Sequence, residues 1–305
     1  MVELLDSIRA DNGIETDDLG FELTESSLIT VDYIAPKAAI SDYVTTLYHF
    51  RCDEPKIRDI QPSSVGHLAL FPHGKGEMQF RAGHCDPNYE VSVMTPLSTA
   101  NPIVVDGPFH AIGAALTPLG WASLTGLHAG EHRDRLRDAR EILGDEAAAI
   151  GNDLNAQYRA GKLTGRECAA ALGEYIGSAV KPINSRHADL IKVVNTWLGS
   201  TLNPDLGELL EKAAYSERQV QRLTERYFGL SPQALARKYR ALRAAALLSF
   251  PQLTPEFEAQ LGDAFFDQSH MIREINRFVG RTPARLRDPD SPYLSEMIAP
   301  SNLRE

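Results

Sequence analysis

Cysteine is scarce and scattered. Cys52, Cys85 and Cys168 are the three cysteines of a 305-residue chain. They are odd in number and lack the CxxC spacing of a metal knuckle, so neither a disulfide framework nor a cysteine-held metal is expected, which fits a reducing compartment. Long apolar runs are also missing. No uncharged stretch reaches the roughly 18 residues that a transmembrane helix needs, so no membrane partner is expected. The opening MVELLDSIRADNGIETDD is acidic and has no basic stretch followed by an apolar one, so it does not read as a secretory signal. A cytoplasmic location is the expectation. Excess positive charge is absent as well: 31 Lys and Arg stand against 41 Asp and Glu, a net of −10. That balance excludes a generally sticky nucleic-acid binder. What remains is globular, with 43% hydrophobic and 24% charged residues, and its length suggests two or three domains at roughly 100–200 residues each.

The charge reverses locally. Residues 203–288 hold 13 basic and 11 acidic residues, whereas residues 1–202 hold 17 and 27. A mildly cationic segment on an acidic chain points to a polyanion partner, although a solvated helical domain would look similar.

Texture divides the chain further. From about 28 to 125 it reads as strands: Tyr43–Cys52, Gly66–Phe71, Glu77–Ala82, Glu90–Met94, then Pro102–Val105 and Ala111–Leu116. Turn signals at 71–76, 86–88 and 106–108 separate them. Strands at this spacing without intervening helices suggest a barrel or sandwich. Helices are expected at Glu131–Leu143, Ala147–Ala160, Thr164–Ile176 and Asn184–Leu198. The expected fold class is therefore α+β. A β-rich sensor or self-association domain (1–130) and a helical connector (131–202) precede an all-α domain (203–288) and a tail (289–305).

The all-α segment is heavily punctuated. Asn203-Pro204, Ser231-Pro232, Thr254-Pro255 and Thr282-Pro283 each pair an N-cap acceptor with a proline at N1, where the missing N–H costs nothing. Ser216, with Gln219 three residues on, makes a capping box, and Asp267 is a further start. Helices are predicted near 204–213, 217–228, 232–248, 255–263, 268–279 and 283–287. The segment also repeats. An offset of 51 pairs Arg222 with Arg273, Arg226 with Arg277, Gly229 with Gly280 and Pro232 with Pro283. Two helix–turn–helix units joined by a long helix account for this.

Each unit offers one helix with two faces. In the first, Val220, Leu223, Thr224, Tyr227 and Phe228 form the inward stripe, leaving Arg218, Gln221, Arg222 and Glu225 outside. In the second, Met271, Ile275, Phe278 and Val279 turn inward. Ser269, Ile272, Arg273 and Asn276 face out, with Gln268 and His270 at the first turn. Arginine forks suit guanine, the glutamine amide suits adenine, and Ile272 would suit a thymine methyl, so these faces carry the chemistry of major-groove readout. The joining helix would be about 25 Å long. That length allows two reading helices to sit about one duplex turn apart, ~34 Å, in successive major grooves. Arg237, Lys238, Arg240 and Arg243 on the joining helix could reach phosphates, as could Ser216, Arg277 and Arg281.

The stretch LLEKAAYSERQVQRLTERYFGLSPQALARKYRALRAAALL, followed by FFDQSHMIREINRFVGRTPARLR, resembles the double helix–turn–helix domain of the AraC/XylS transcription regulators. The resemblance implies a double-stranded DNA partner, with base contacts from Arg218, Gln221 and Arg222 in the first unit and from Gln268, Ser269, His270 and Arg273 in the second. It also implies contact with RNA polymerase and activation as the output. More loosely, the first 200 residues resemble the sensor half of some such regulators, which implies a small-molecule effector or a homodimer. Two departures stand out. Ala214 and Ala264 occupy turn positions where glycine is usual, and Glu217, Glu225 and Glu274 put acid on or near the reading helices.

Other chemistry finds little support. His128-Ala-Gly-Glu131-His132 spells HxxEH, a zinc-peptidase pattern, but Gly130 interrupts it at a strand-to-helix junction. His73, His84 and Cys85 could meet around a metal, without ligand spacing to favour it. Gly74-Lys-Gly76 lacks a phosphate-loop context. Trp121, Trp197, Phe50, Phe71 and Phe80 could line an effector pocket or simply fill the core. No cofactor, resident metal or catalytic grouping is expected. The rival readings are an N-terminal metal or small-molecule enzyme with an appended DNA reader, and an interaction protein whose DNA-binding domain has degenerated.

Overall fold

Alternation of side chains at period two builds the first half of the molecule. The structure is a computed structural model describing residues 23–25, 28–249 and 255–281. Its strands are β1 (Ile29–Ile34), β2 (Val44–Cys52), β3 (Lys56–Gln61), β4 (His67–Gln79), β5 (Cys85–Pro87), β6 (Val91–Met94), β7 (Asn101–Leu116) and β8 (Leu136–Asp138). They pair antiparallel in the order β1-β2-β7-β4-β6-β8, with β5 added to β4. The long β7 carries two partners on one side: β2 along Phe109–Leu116 and β3 along Asn101–Asp106. One face of the sheet bears Leu47, Leu68, Leu70, Ile112 and Ala114 and packs on helices. The other bears Tyr48, Phe50, Phe109 and Ala111 and turns to a cavity. Gly113 belongs to this second face because the Tyr48 ring lies across it, where a Cβ would stand 2.4 Å from the phenol.

Helices follow the sheet. They are α1 (Pro118–Thr125), α2 (Ala129–His132), α3 (Ala139–Leu143), α4 (Asp145–Arg159), α5 (Gly165–Ala179) and α6 (Ser185–Ser200). Leu154 of α4 and Cys168, Ala169, Leu172 and Ile176 of α5 seal the first face of the sheet. The capping box Thr164–Glu167 starts α5. Next come α7 (Leu206–Lys212), α8 (Glu217–Phe228), α9 (Pro232–Ser249), α10 (Pro255–Ala264) and α11 (Gln268–Val279). The α+β class stands, with a β-rich first half and a helical second.

Several boundaries differ from the sequence reading, each for a local reason. The turn expected at 71–76 is absent. β4 runs straight through it, with register shifts between Leu70 and Lys75 absorbing Pro72 and the left-handed Gly74. Likewise β7 continues through Asp106-Gly-Pro108. The helix expected at Glu131–Leu143 divides into α2, β8 and α3, because Leu136–Asp138 pairs with β6. Residues 118–125, expected as the end of the strand region, form α1 instead, because Thr117 accepts from the Gly120 N–H and Pro118 sits at the first helical position. Asp205, rather than Asn203, caps α7. Thr254, Thr282 and the helix expected at 283–287 lie outside the described residues.

One polar chain fastens α4 to the sheet. Asp53 accepts from His110 Nε2 at 2.9 Å, and His110 Nδ1 lies 2.8 Å from the Tyr158 hydroxyl. That hydroxyl lies 3.0 Å from His49 Nε2. A single set of protons satisfies the chain: His110 donates to Asp53 and accepts from Tyr158, which accepts from His49. The His73 ring stands 4.9 Å from that of His110. Burial, and then the neighbouring His110, holds the imidazoles of His49 and His73 below their usual range. His67, on the cavity face, is pushed down to about 4 by burial and by Lys238. Below about pH 6.5 the unfolded chain therefore binds protons that the folded one refuses. The stability these three imidazoles contribute is complete above that pH and is lost as pH falls through their folded values. The urea midpoint should drop between pH 7.5 and 5.0, and His49→Gln should shallow that drop. A pH-independent midpoint would show that the imidazoles are not protected.

Candidate nucleic-acid interface

The two helix–turn–helix units are built from the residues that the patterning picks out. In α8, Val220, Leu223, Thr224, Tyr227 and Phe228 are buried. They pack with Leu190, Val194 and Trp197 of α6 and with Leu235 and Tyr239 of α9. Ser216 starts this helix, its backbone N–H donating to the Gln219 side chain at 3.0 Å. In α11, Met271, Ile275, Phe278 and Val279 are buried, and Met271, Ile275 and Val279 pack against Leu242, Ala245 and Leu248 of α9. Both helices end on a left-handed glycine, Gly229 at φ +83° and Gly280 at φ +79°. Neither Ala214 nor Ala264 has a positive φ. These turns run through ordinary backbone, so alanine is no handicap there.

The outward faces meet solvent. Arg218, Gln221, Arg222 and Glu225 are exposed on α8. On α11, Ser269, Arg273, Asn276 and Arg277 are exposed, while Gln268, His270 and Ile272 are half-buried. His270 reaches along its own helix toward the next turn, its Nε2 3.3 Å from Glu274. Glu274 is not on the reading face. It is 3% exposed and bound by Arg237 at 2.7 Å and Arg240 at 2.6 Å. Burial pushes its carboxyl up, but the two guanidiniums outweigh that and hold it below the usual range. The acid that seemed a threat to DNA contact is a tie between α11 and α9.

The same ties correct the expected phosphate contacts. Arg237 and Arg240 are engaged with Glu274. Arg243 donates to the carbonyls of Leu198 and Thr201 at the end of α6. Lys238 is 2% exposed, donating to the carbonyls of Ser64 at 2.9 Å and Leu97 at 3.3 Å in the β-rich half. Arg281 is buried in an ion pair with Asp59 of β3. In this arrangement Lys238 and Arg281 lie beyond the reach of a phosphate, because their charges face the β-rich half. Ser216 and Arg277 remain at the surface.

Both reading helices are thus docked by their C-terminal ends. Ser63 donates to the carbonyl of Phe278 at 2.7 Å and Ala100 to that of Arg277 at 3.0 Å. Arg133 donates to the carbonyl of Gly229 at 3.0 Å. Gly280 lies tight against Ile60 and Ala100, and Gly229 beside Pro96 and Ala129. The loop between β6 and β7 therefore touches both units. It is held in turn by Asp134, whose carboxylate accepts from the backbone and hydroxyl of Ser98, each at 2.7 Å.

Between the halves lies a cavity of about 180 Å³. Phe50, Phe71, Val105 and Phe109 of the sheet line it, together with Lys238, Tyr239 and Leu242 of α9. Of the five aromatic candidates, Phe50 and Phe71 reach this cavity. Trp121 and Trp197 are fully buried core, and Phe80 packs in a separate cluster. The metal alternatives do not assemble. His128 caps the four-residue α2, which is too short to present both histidines of HxxEH on successive turns. The ring neighbours of His73 are His110 and Tyr158, whereas His84 stacks on Phe80. Among the described residues, no helix is long and apolar enough to cross a membrane.

Two like units on one connecting helix, each with an exposed polar reading face, define a bipartite helix–turn–helix DNA reader. Residues 209–288 match the family model for a helix-turn-helix domain, and this segment is a DNA-binding domain of the AraC type. Comparison with curated protein sequences gives no match. Several solved structures are similar in overall outline. ToxT from Vibrio cholerae is 8% identical, with 87% of this chain and 97% of that chain covered and a TM-score of 0.47. Unsaturated fatty acid bound wild-type ToxT from Vibrio cholerae strain SCE256 is 8% identical, covers 90% and 97%, and has a TM-score of 0.46. The AraC-like transcriptional activator CuxR is 13% identical, with 72% and 87% covered and a TM-score of 0.31.

The Asp59–Arg281 ion pair ties β3 to the residue that follows Gly280 after α11. Removing the carboxylate by Asp59→Ala leaves a buried guanidinium without its counter-charge, which should destabilise the protein by about 3–5 kcal/mol. Chemical denaturation would read this loss, and a change below about 1 kcal/mol would mean that the pair is solvated.

Proposed function

We propose that this protein is a sequence-specific transcription regulator that reads two successive major grooves through α8 and α11 and senses a small molecule in the cavity between its halves. The observation that carries the DNA reading is the simultaneous exposure of Arg218, Gln221 and Arg222 on one unit and Ser269 and Arg273 on its repeat. Base readout needs donors and acceptors on an open helix face. A degenerate domain has no reason to keep that face in both copies. Gln268 and His270 complete the second tip, and Ser216 and Arg277 supply phosphate contacts.

The sensing role rests on the lining of the cavity. A molecule seated against Phe50 and Phe109 also touches Tyr239 and Leu242 on the helix that joins the two readers. Its binding energy can therefore depend on how the reading domain is docked, which is the requirement for shifting a population. Its class would be a compact molecule with an apolar body. Activation through RNA polymerase follows from the resemblance of residues 203–288, and self-association through the β-rich half from the looser resemblance of the first 200 residues.

A mobility shift on duplexes selected from a random pool by the wild-type protein tests the reading. Arg222→Ala and Arg273→Ala should each weaken binding to the selected sequence by about 1–3 kcal/mol and relax the preference at one base pair. Rising salt should weaken every form, because phosphate contacts release counterions. Equal binding by wild type and both variants would remove α8 and α11 as readers.

A further inference from the structure

Phe266 is 94% exposed, far more than any other large apolar side chain among the described residues. It sits immediately before Asp267, the N-cap of α11, whose carboxylate accepts from the His270 N–H at 2.6 Å. We propose that Phe266 is a specificity-determining DNA contact of the second unit, seating its ring against the methyl group of a thymine at the edge of the sequence that α11 reads. This rests on the DNA reading proposed above and adds to it a residue outside the helix and a base identity.

Three observations point that way. First, the core at this turn is already served by the preceding residue. Phe265 is buried, with the Arg240 guanidinium 5.1 Å from its ring centre and the His270 ring at 5.8 Å. The two adjacent rings take different environments, one buried and the other in solvent. Phe265 takes the inner side and Phe266 is left on the outer one. Second, that outer side belongs to the reading tip. Helix–turn–helix proteins contact base edges with the N-terminal residues of the second helix, and here those residues are Gln268 and Ser269. A side chain just before the cap therefore stands at the rim of the groove. Third, the repeat supplies an internal comparison. The offset of 51 aligns Phe266 with Tyr215. Tyr215 is half-buried, with the Arg186 guanidinium at 5.8 Å and the His187 ring at 6.3 Å, both from α6. In the second unit the equivalent ring has no ring or cation partner among the described residues.

The chemistry of the groove selects the partner. Thymine alone carries a methyl group among the edges exposed in the major groove, and it is the apolar feature that an aromatic ring can cover there. Such a contact carries base identity without charge, so it should alter affinity without altering the salt dependence.

The test uses the full chain and a selected duplex in which each thymine is replaced in turn by deoxyuridine, which deletes one methyl. Wild type should lose about three- to fivefold in affinity at one position beside the α11 site, the effect of uncovering a single methyl group. Phe266→Ala should show the same loss on the parent duplex and no further loss at that position. Its thermal midpoint should match wild type, since the side chain is exposed. If Phe266→Ala binds the parent duplex like wild type while Arg273→Ala does not, Phe266 is no contact and the groove reading survives. If Arg273→Ala also binds like wild type, the groove reading itself fails. A loss in Phe266→Ala that is shared with no deoxyuridine position would replace the thymine contact with a sequence-independent one and overturn the proposal.

Discussion

An ammonium group removed from water has to be given oxygen, and that need fixes how the two halves of this molecule meet. Lys238 lies in the middle of α9 and is almost wholly buried. Its Nζ donates to the carbonyls of Ser64 and Leu97, both on loops of the β-rich half. Leaving those loops without a replacement would strand the charge, which costs several kcal/mol. The connecting helix is therefore anchored at its centre to the loops entering β4 and leaving β6. The apolar contacts around it have a fixed frame.

From that anchor the geometry of the readers follows. The loop that accepts from Lys238 continues from Pro96, beside Gly229, to Ala100, beside Gly280. Gly229 and Gly280 are equivalent positions of the repeat, each ending a reading helix. The separation of the helix ends is thus set twice, once by the eighteen residues of α9, about 27 Å, and again by a short loop of the other half. Asp134, the one non-glycine residue with a positive φ among those described, holds this loop through Ser98. An asparagine or aspartate tolerates that conformation better than a branched residue. The β-rich half is in this sense part of the ruler that spaces the two readers, and the cavity wall at Ser63, Ser64 and Val65 is one end of it.

Much of this was legible in the sequence, and the remainder was hidden for identifiable reasons. The 3.6-residue stripe of α8 and the capping at Ser216 and Asp267 are local signals, and the structure follows them residue for residue. The same is true of the offset that pairs Gly229 with Gly280. Local signals failed where a long-range partner decided the outcome. Pro72 and Gly74 look like a turn, but β7 supplies a ladder that carries β4 past them. Leu136–Asp138 looks like helix, yet β6 recruits it as a strand. Charge was the least transparent feature. Arg237, Lys238 and Arg240 have the spacing of a solvated basic stripe, and nothing within α9 reveals that Glu274 and two carbonyls lie opposite. The cavity was legible only in part: Phe50 and Phe71 stood among five aromatic candidates, but Phe109 joins them only when β2 pairs with β7.

That redistribution of charge resolves the apparent conflict between an acidic chain and a DNA partner. The basic residues of α9 are paired within the protein, Lys238 deeply buried and Arg237 with its guanidinium on Glu274 though still at the surface, so they lend less to indiscriminate attraction. Glu274 is also withdrawn from the surface, so it does not repel phosphate at the second site. The exposed cations on the reading helices are Arg218, Arg222, Arg226, Arg273 and Arg277, a small set concentrated where base edges and their flanking phosphates would lie. Non-specific affinity scales with the number of phosphates neutralised, whereas discrimination scales with the fit of forked and apolar groups to base edges. On the proposed reading, such a distribution of cations on a net-negative body would leave arbitrary sequence weakly held, and the hold on DNA would come from the side chains that distinguish one sequence from another.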